Sequence, residues 1–433
     1  MAYYFPPIGG VGAQRPVNFV RHLPSFGVQP SVVTGPGAPT PGQWTPLDQT
    51  LDQAVPPDLP VRRVGRSEPA TETKWQGRAQ RWLRRPSSWT SWLIDEFSAT
   101  ASQLPEVDAL WAVLPPYGLA TAASRASKVL GVPWIADFGD PWALDEMMVF
   151  PSGLHRRLER RQMHRTLSTA AAIVMSTPEA VDRVRAAFPE LRDRPIISIP
   201  NGYDRDAFAG EIARRADGKF RIVHTGSLHT ALGQKQKAAA PLRHIVGGTV
   251  NGVDILTRTH IYLMQAIERL FDEQPALRDV VEVHLAGVLS PEDVAIAPPS
   301  TVSHLHGYLP HRESVALLRS ADLLFLPMQN LSSGMRAGIV PGKTYEYLAA
   351  GAPILAAVPD GDVRDILRTY ADADICEPDD VAAMKDAIAR RIEGLPSEST
   401  PAQSIERFEY RRLTAQVAEL LEEVTGAAHH ERA

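Results

Sequence analysis

The feature that most constrains this chain is a pattern that runs once and then restarts: short, uniformly apolar runs separated by helix-like stretches. In the first half the runs are Ser31 to Thr34, Ala109 to Leu114, Val132 to Asp137, Ala171 to Ser176 and Pro195 to Ile199. A strand with one wet face alternates apolar and polar residues, whereas a strand covered on both faces need not. These runs therefore predict a parallel sheet between two helix layers. After Asn201-Gly202 the pattern begins again with Phe220 to Thr225, Val280 to Ala286, Val302 to His306, Asp322 to Leu326, Pro353 to Ala357 and Asp374 to Cys376. A length of 433 residues accommodates two such arrays at about 100 to 200 residues per domain.

Pro200 and Asn201-Gly202 form a strand exit followed by turn formers, and the hinge is expected there. The domains then run over 1–200 and 201–400. Residues 401–433 form a C-terminal helix and tail, with apolar positions at Val417, Leu420, Leu421 and Val424 in helical spacing. Pro36 to Pro60 reads as a long loop, and Gly233 to Gly252, which lacks a clean period, reads as an insertion or lid. Lys and Arg number 45 against 50 Asp and Glu, a formal charge of -5, which argues against a nucleic-acid-coating protein. The single cysteine, Cys376, excludes an internal disulfide and a multi-thiolate metal site, so a cytoplasmic setting is expected. The first residues do not follow a signal-peptide pattern. The most apolar stretch, Ala109 to Ser124, is interrupted by Pro115, Pro116 and Gly118, short of the about 20 residues a membrane span needs. The three residues before Tyr4 leave either a truncated first strand or a start further upstream.

Four segments carry chemistry. Tyr4 to Gly12 contains Gly9-Gly10 ahead of a helix and is followed by Arg15; such a turn lets an anion approach a helix N-terminus, or is simply tight. Gly131 to Trp142 ends a strand with Asp137-Phe138-Gly139-Asp140-Pro141-Trp142. Pro200 to Asp204 is the hinge. Val340 to Pro353 places Pro341, Gly342, Lys343 and Glu346 at a helix start, where free amides and the dipole suit a diphosphate and an acid one turn in suits a ribose diol. Together these segments resemble the GT-B glycosyltransferases, particularly the retaining, nucleotide-sugar-dependent family 4, over nearly the whole chain.

That resemblance implies an α/β fold of two Rossmann-like domains facing a cleft, an N-terminal acceptor domain, a C-terminal donor domain and a C-terminal helix crossing back. It implies donor contacts from Gly9, Gly10, Gly226, Ser227, Pro341, Gly342, Lys343 and Glu346, with Asp140 as the candidate catalytic carboxylate. Relatives often carry Arg where Gly139 stands, and a second acid where Gly338 stands, eight residues before Glu346. The partners implied are a nucleotide-sugar donor and an acceptor, either a lipid-linked saccharide or a small molecule, with no nucleic acid and no resident cofactor or metal. His224 and His229 flank the Gly226 turn as structural residues, and Lys235 and Lys237 are either phosphate-directed cations or a solvated loop. The Asp-x-Asp pairs at 360–362 and 372–374 are not expected to hold a metal. Lys74 to Trp92 interleaves five cations with Trp75, Trp82, Trp89 and Trp92, which reads either as an anionic membrane surface contact on the inner face or as tryptophans packed inward. The activity expected is sugar transfer in polysaccharide, glycolipid or glycosylated-metabolite synthesis. The alternatives are a GT-B nucleotide-sugar epimerase and a non-catalytic binding partner.

Overall fold

The apolar runs become parallel strands in two separately packed units. The computed structural model describes all residues except 38–45, 66–67, 70–71, 211–214, 397–400 and 433. Part of the Pro36 to Pro60 loop and the side chain of Lys74 therefore lie outside the described residues. The first unit comprises Met1–Gly202, Val246–Thr249 and Phe408–Ala433, and the second Tyr203–Ile245 and Val250–Arg407.

In the first unit β1 (Val32–Thr34) pairs with β2 (Val61–Arg63), and β3 (Leu110–Leu114), β4 (Trp134–Phe138), β5 (Ala172–Met175) and β6 (Ile196–Ser198) follow side by side. Ala2 joins the two groups with parallel bridges to Thr34 and Val113. Ala2 is held there by its amide donating to the Val33 carbonyl and by the Val113 amide donating to the Met1 carbonyl. All five residues of β4 and all four of β5 are buried, as strands under two helix layers are; Asp137 is the one charged residue among them. The helix Tyr410–Arg432 belongs to this unit and buries Tyr410, Leu413, Val417, Leu420 and Val424 against Phe19, Ile135, Val174 and Ile199. Its three- and four-residue spacing keeps those side chains on one face. Burial of each aliphatic side chain contributes about 1.5 to 3 kcal/mol as an upper estimate. Gly202 has no side chain because a Cβ there would collide with the Phe408 carbonyl.

The second unit is a six-stranded sheet ordered β12 (Ala373–Cys376), β11 (Ile354–Ala357), β10 (Leu323–Pro327), β7 (Phe220–Thr225), β8 (Val281–Ala286) and β9 (Ser303–Gly307). The chain grows outward from β7 through β9, then returns to the other side of β7 and grows through β12. Between β7 and β10 the direction reverses, and in doubly wound sheets ligands bind beyond the carboxyl ends of the strands at that switch point. Leu263, Ile267, Leu270 and Phe271 of the helix Ile261–Glu273 and Met384 and Ile388 of the helix Val381–Ile392 fill the core over these strands.

Two readings of the sequence are corrected. Gly233 to Ile245 is not irregular but most of the helix Thr230–Ile245; its Gln, Lys and Ala residues favour helix without an amphipathic period. Val246–Thr249 belongs to the first unit, where Phe150 and Gly153 amides donate to the Gly248 and Val246 carbonyls, each at 2.8 Å. No helix among the described residues is long and apolar enough to cross a membrane.

Candidate functional site

β7 ends in His224-Thr225 and turns at Gly226-Ser227, on the switch point. Gly226 has a φ of 97°, and a Cβ there would lie 3.0 Å from the Lys343 ammonium. The left-handed backbone and the close lysine both call for glycine. Lys343 opens the helix Lys343–Ala350, with Gly342 as its N-cap and Gly351, at φ 73°, as its C-cap. The buried Tyr347 hydroxyl of that helix accepts the Thr225 amide at 3.0 Å, so strand end and helix are tied together.

The electrostatics follow from one tautomer. His224 Nδ1 lies 3.0 Å from the Phe325 carbonyl. A carbonyl only accepts, so Nδ1 carries the proton and Nε2 offers its lone pair to the Lys343 ammonium, 3.1 Å away. Burial, reinforced by the Lys343 charge, holds His224 well below the usual imidazole range, and the ring is neutral. Burial and then Arg258 push Lys343 down to about 7, against an opposing pull from Glu346. Arg258 also depresses His229, which burial and this cation bring to about 4. The turn is therefore served by two cations, Lys343 and Arg258, the first held by a neutral imidazole. Glu346 sits one turn further along the helix, and His311 Nε2, from the first residue of the helix His311–Arg319, lies 2.9 Å from its Oε1.

The structure refines several sequence readings. Pro341 is not the first helical residue; it precedes the N-cap. The Pro341 and Gly342 carbonyls accept the Thr344 and Tyr345 amides at 2.9 and 3.1 Å, so the first turn is tight and those two amides are already engaged. Lys235 and Lys237 are exposed on the helix Thr230–Ile245. Arg258, which has no local motif to announce it, is the second cation near Lys343. Arg336 lies within 3.5 Å of Asp360, Asp362 and Asp365, and Arg390 and Arg391 pair with Asp374 and Asp372. Both Asp-x-Asp pairs are thus arginine partners.

Gly9, Gly10 and Asp140 belong to the first unit. Gly10 is the N-cap of the helix Val11–His22, while the Gly9 amide donates to the Pro46 carbonyl at 2.7 Å and is engaged within the protein. Arg15, one turn into that helix, makes a bidentate pair with buried Asp137 at the end of β4, at 2.8 and 2.9 Å, and donates to the Ile199 and Pro200 carbonyls. Trp111 Nε1 also donates to Asp137. Asp140 is half-buried in the turn that follows, where burial first and then the Asp140 and Asp145 charges raise the Tyr117 hydroxyl well above its usual range. Trp142 two residues on has a φ of 48°, a strained conformation for a bulky residue. It is held by stacking on Tyr117 with centroids 5.0 Å apart and by its Nε1 donating to Glu159. Strain that the surroundings over-determine is characteristic of functional turns.

Of the tryptophan-rich segment, Trp75 and Trp82 are 82% and 60% exposed on the helix Lys74–Leu83, whereas Trp89 and Trp92 pack against the first unit's core. The inward-packed reading thus describes Trp89 and Trp92, and not Trp75 and Trp82.

Two doubly wound units, with a cationic glycine turn at the switch point of the second, define a Rossmann-type architecture. Residues 9–202 match the family model of a glycosyl transferase 4-like domain, and residues 254–393 that of glycosyl transferases group 1. One match falls on each unit, so the chain carries a glycosyl transferase 4-like domain followed by a glycosyl transferases group 1 domain, in a GT-B fold. Among solved structures it resembles Anabaena Alr3699/HepE in complex with UDP-glucose, at 13% identity over 97% of this chain and 98% of that one, with a TM-score of 0.57. It also resembles the N-terminal domain of a Candida albicans trehalose-6-phosphate phosphatase, at 11% identity over 94% and 92%, with a TM-score of 0.56. The α,α-trehalose 6-phosphate synthase of Burkholderia multivorans is similar at 14% identity over 82% and 80%, with a TM-score of 0.53. At these identities the likeness is one of fold. No curated protein matches the sequence significantly.

Proposed function

We propose that the second unit binds a nucleotide-sugar donor and that the enzyme transfers its sugar, with retention of configuration, to an acceptor hydroxyl held by the first unit. The observation that carries this reading is the Lys343 ammonium poised beside the Gly226-Ser227 turn on a neutral His224, with Arg258 as a second cation. A diphosphate there would meet the turn, the N-terminus of the helix Lys343–Ala350 and both cations, while Glu346, oriented by His311, would accept from the ribose hydroxyls. As the bond from sugar C1 to the phosphate oxygen breaks, negative charge grows on the departing diphosphate, and fixed cations and dipoles stabilise it without reorganisation. Holding donor and acceptor together supplies the rest. The resident charge of this site comes from side chains, so turnover is expected to survive chelation of divalent metal. Asp140 is the proposed carboxylate beside the acceptor hydroxyl, on the strained turn that Trp142 and Tyr117 hold. UDP-glucose, the ligand of the Anabaena structure, is the first donor to test. An acceptor presented at the inner face of a membrane fits the exposed Trp75 and Trp82 beside Arg78, Arg81, Arg84 and Arg85.

Mass spectrometry after incubation with a panel of nucleotide sugars and cell-derived acceptors tests the reading. A product heavier by one sugar residue, with its anomeric configuration kept by NMR, is expected. Isomerisation of the nucleotide sugar without transfer would instead establish an epimerase. Binding with neither outcome on any acceptor would leave a non-catalytic partner.

A further inference from the structure

Away from that site, β8 and the edge strand β9 concentrate imidazoles on one sheet face. His284 and His304 are directly opposite in the parallel register, and the two-residue period of a strand puts Glu282 and His306 on the same side. The His284 and His304 rings stack with centroids 4.6 Å apart, and His284 and His306 at 5.1 Å. One donor atom each from Glu282, His284 and His304 falls within 4.8 Å of the others. His284 Nε2 is 3.2 Å from Glu282 Oε2, and His304 Nε2 is 3.9 Å from Glu282 Oε1.

We propose that Glu282, His284 and His304 bind a divalent transition cation of the zinc class and that the ion clips edge strand β9 to β8. Donors about 2.0 to 2.1 Å from such an ion in tetrahedral array lie about 3.4 Å apart, and the two imidazole-to-carboxylate distances here are 3.2 and 3.9 Å. Two imidazoles and a carboxylate suit zinc, cobalt or nickel, whereas magnesium and calcium prefer all-oxygen sites. His306 supplies the orienting contact. Its Nε2 is 2.9 Å from His284 Nδ1. Without an ion His284 Nε2 donates to the Glu282 carboxylate; on ion binding the ring proton would sit on Nδ1 and donate to His306, so that Nε2 presents its lone pair to the ion. His304 Nε2 is buried without a hydrogen-bond partner among the described residues, while the His304 and His306 side chains are partly solvent-exposed and give an entry path. Two cations face the carboxylate: Arg221 of β7 at 3.7 Å and Lys219, the residue just before that strand, at 3.9 Å. They compete for Glu282, so the site binds more weakly than a closed four-ligand zinc centre and keeps a position for water.

The full-length protein, stripped by chelator and dialysed, is titrated with Zn²⁺, Co²⁺ and, as control, Mg²⁺. One equivalent of zinc should bind, raise the unfolding temperature and displace cobalt with loss of its visible absorption, with Mg²⁺ inert. His304→Gln and Glu282→Gln should each weaken zinc binding at least ten-fold while retaining the far-UV circular dichroism of the wild type. Absence of saturable zinc binding, or wild-type binding by both variants, overturns the proposal. If either variant misfolds, imidazole ¹⁵N signals of the wild-type protein decide: zinc-dependent shifts of two metal-bound rings support it, and unmoved signals reject it.

Discussion

The two units share one winding pattern but use their buried cations in opposite ways. In the first, Arg15 is locked to Asp137 by two charged hydrogen bonds and capped by the Ile199 and Pro200 carbonyls. Its charge is consumed in holding the end of β4 beside the helix Val11–His22. In the second, Lys343 occupies the corresponding role at a strand end, yet its hydrogen-bond partner is the neutral His224, and Arg258 adds to the positive potential. A buried cation with a dedicated carboxylate is structure, whereas one left underneutralised awaits an anion. Topology alone therefore does not tell the two switch points apart; the proposed diphosphate site rests on the local charge balance.

Breaking that contrast gives graded predictions. Asp137→Ala leaves Arg15 buried without its partner and should cost about 3 to 5 kcal/mol of stability, read as a lower unfolding temperature of the first unit, while nucleotide affinity stays near wild type. Glu346→Ala should weaken nucleoside binding about ten-fold or more, since losing a charged hydrogen bond costs about 1.5 to 3 kcal/mol; calorimetry with the bare nucleoside checks it. The pH dependence follows from Lys343. Free, it titrates near 7, and a bound diphosphate raises that value, so above pH 7 binding takes up a proton. Affinity should be insensitive to this group below pH 7 and then fall by up to about ten-fold per pH unit, a slope that Lys343→Ala abolishes. The smallest effect is expected at the surface. Replacing Trp75 and Trp82 by Ser should reduce retention on liposomes containing anionic lipid at low salt, by about 1 kcal/mol or more per ring, without changing nucleotide affinity. Equal retention would favour a soluble acceptor.

Much of this architecture is legible in the sequence because buried parallel strands cannot alternate. Each apolar run overlaps an observed strand, and the Lys343 to Glu346 segment stands out because a helix start, a cation and an acid fall within four residues. What escapes is whatever depends on distant partners. β2 at Val61–Arg63 is half-exposed and carries two arginines, so it lacks the apolar signature. The helix Thr230–Ile245 has propensity without periodicity. His224 reads as a structural histidine until the Phe325 carbonyl, about a hundred positions away, fixes its tautomer and turns it into the acceptor for Lys343. Arg258 lies between two threonines with nothing local to mark it. The bridging of Ala2 is a pairing visible only once Thr34 and Val113 flank it.

The central claim is that Lys343, held underneutralised beside Gly226, is where the donor's diphosphate binds. The most direct measurement is calorimetric titration of wild type and Lys343→Ala with a nucleoside diphosphate and with the matching nucleoside at pH 6.5. Removing one charged contact of about 1.5 to 3 kcal/mol should weaken the diphosphate about ten-fold or more and leave the nucleoside within about two-fold. Equal loss for both ligands, or none for the diphosphate, would contradict the assignment of this turn to the diphosphate.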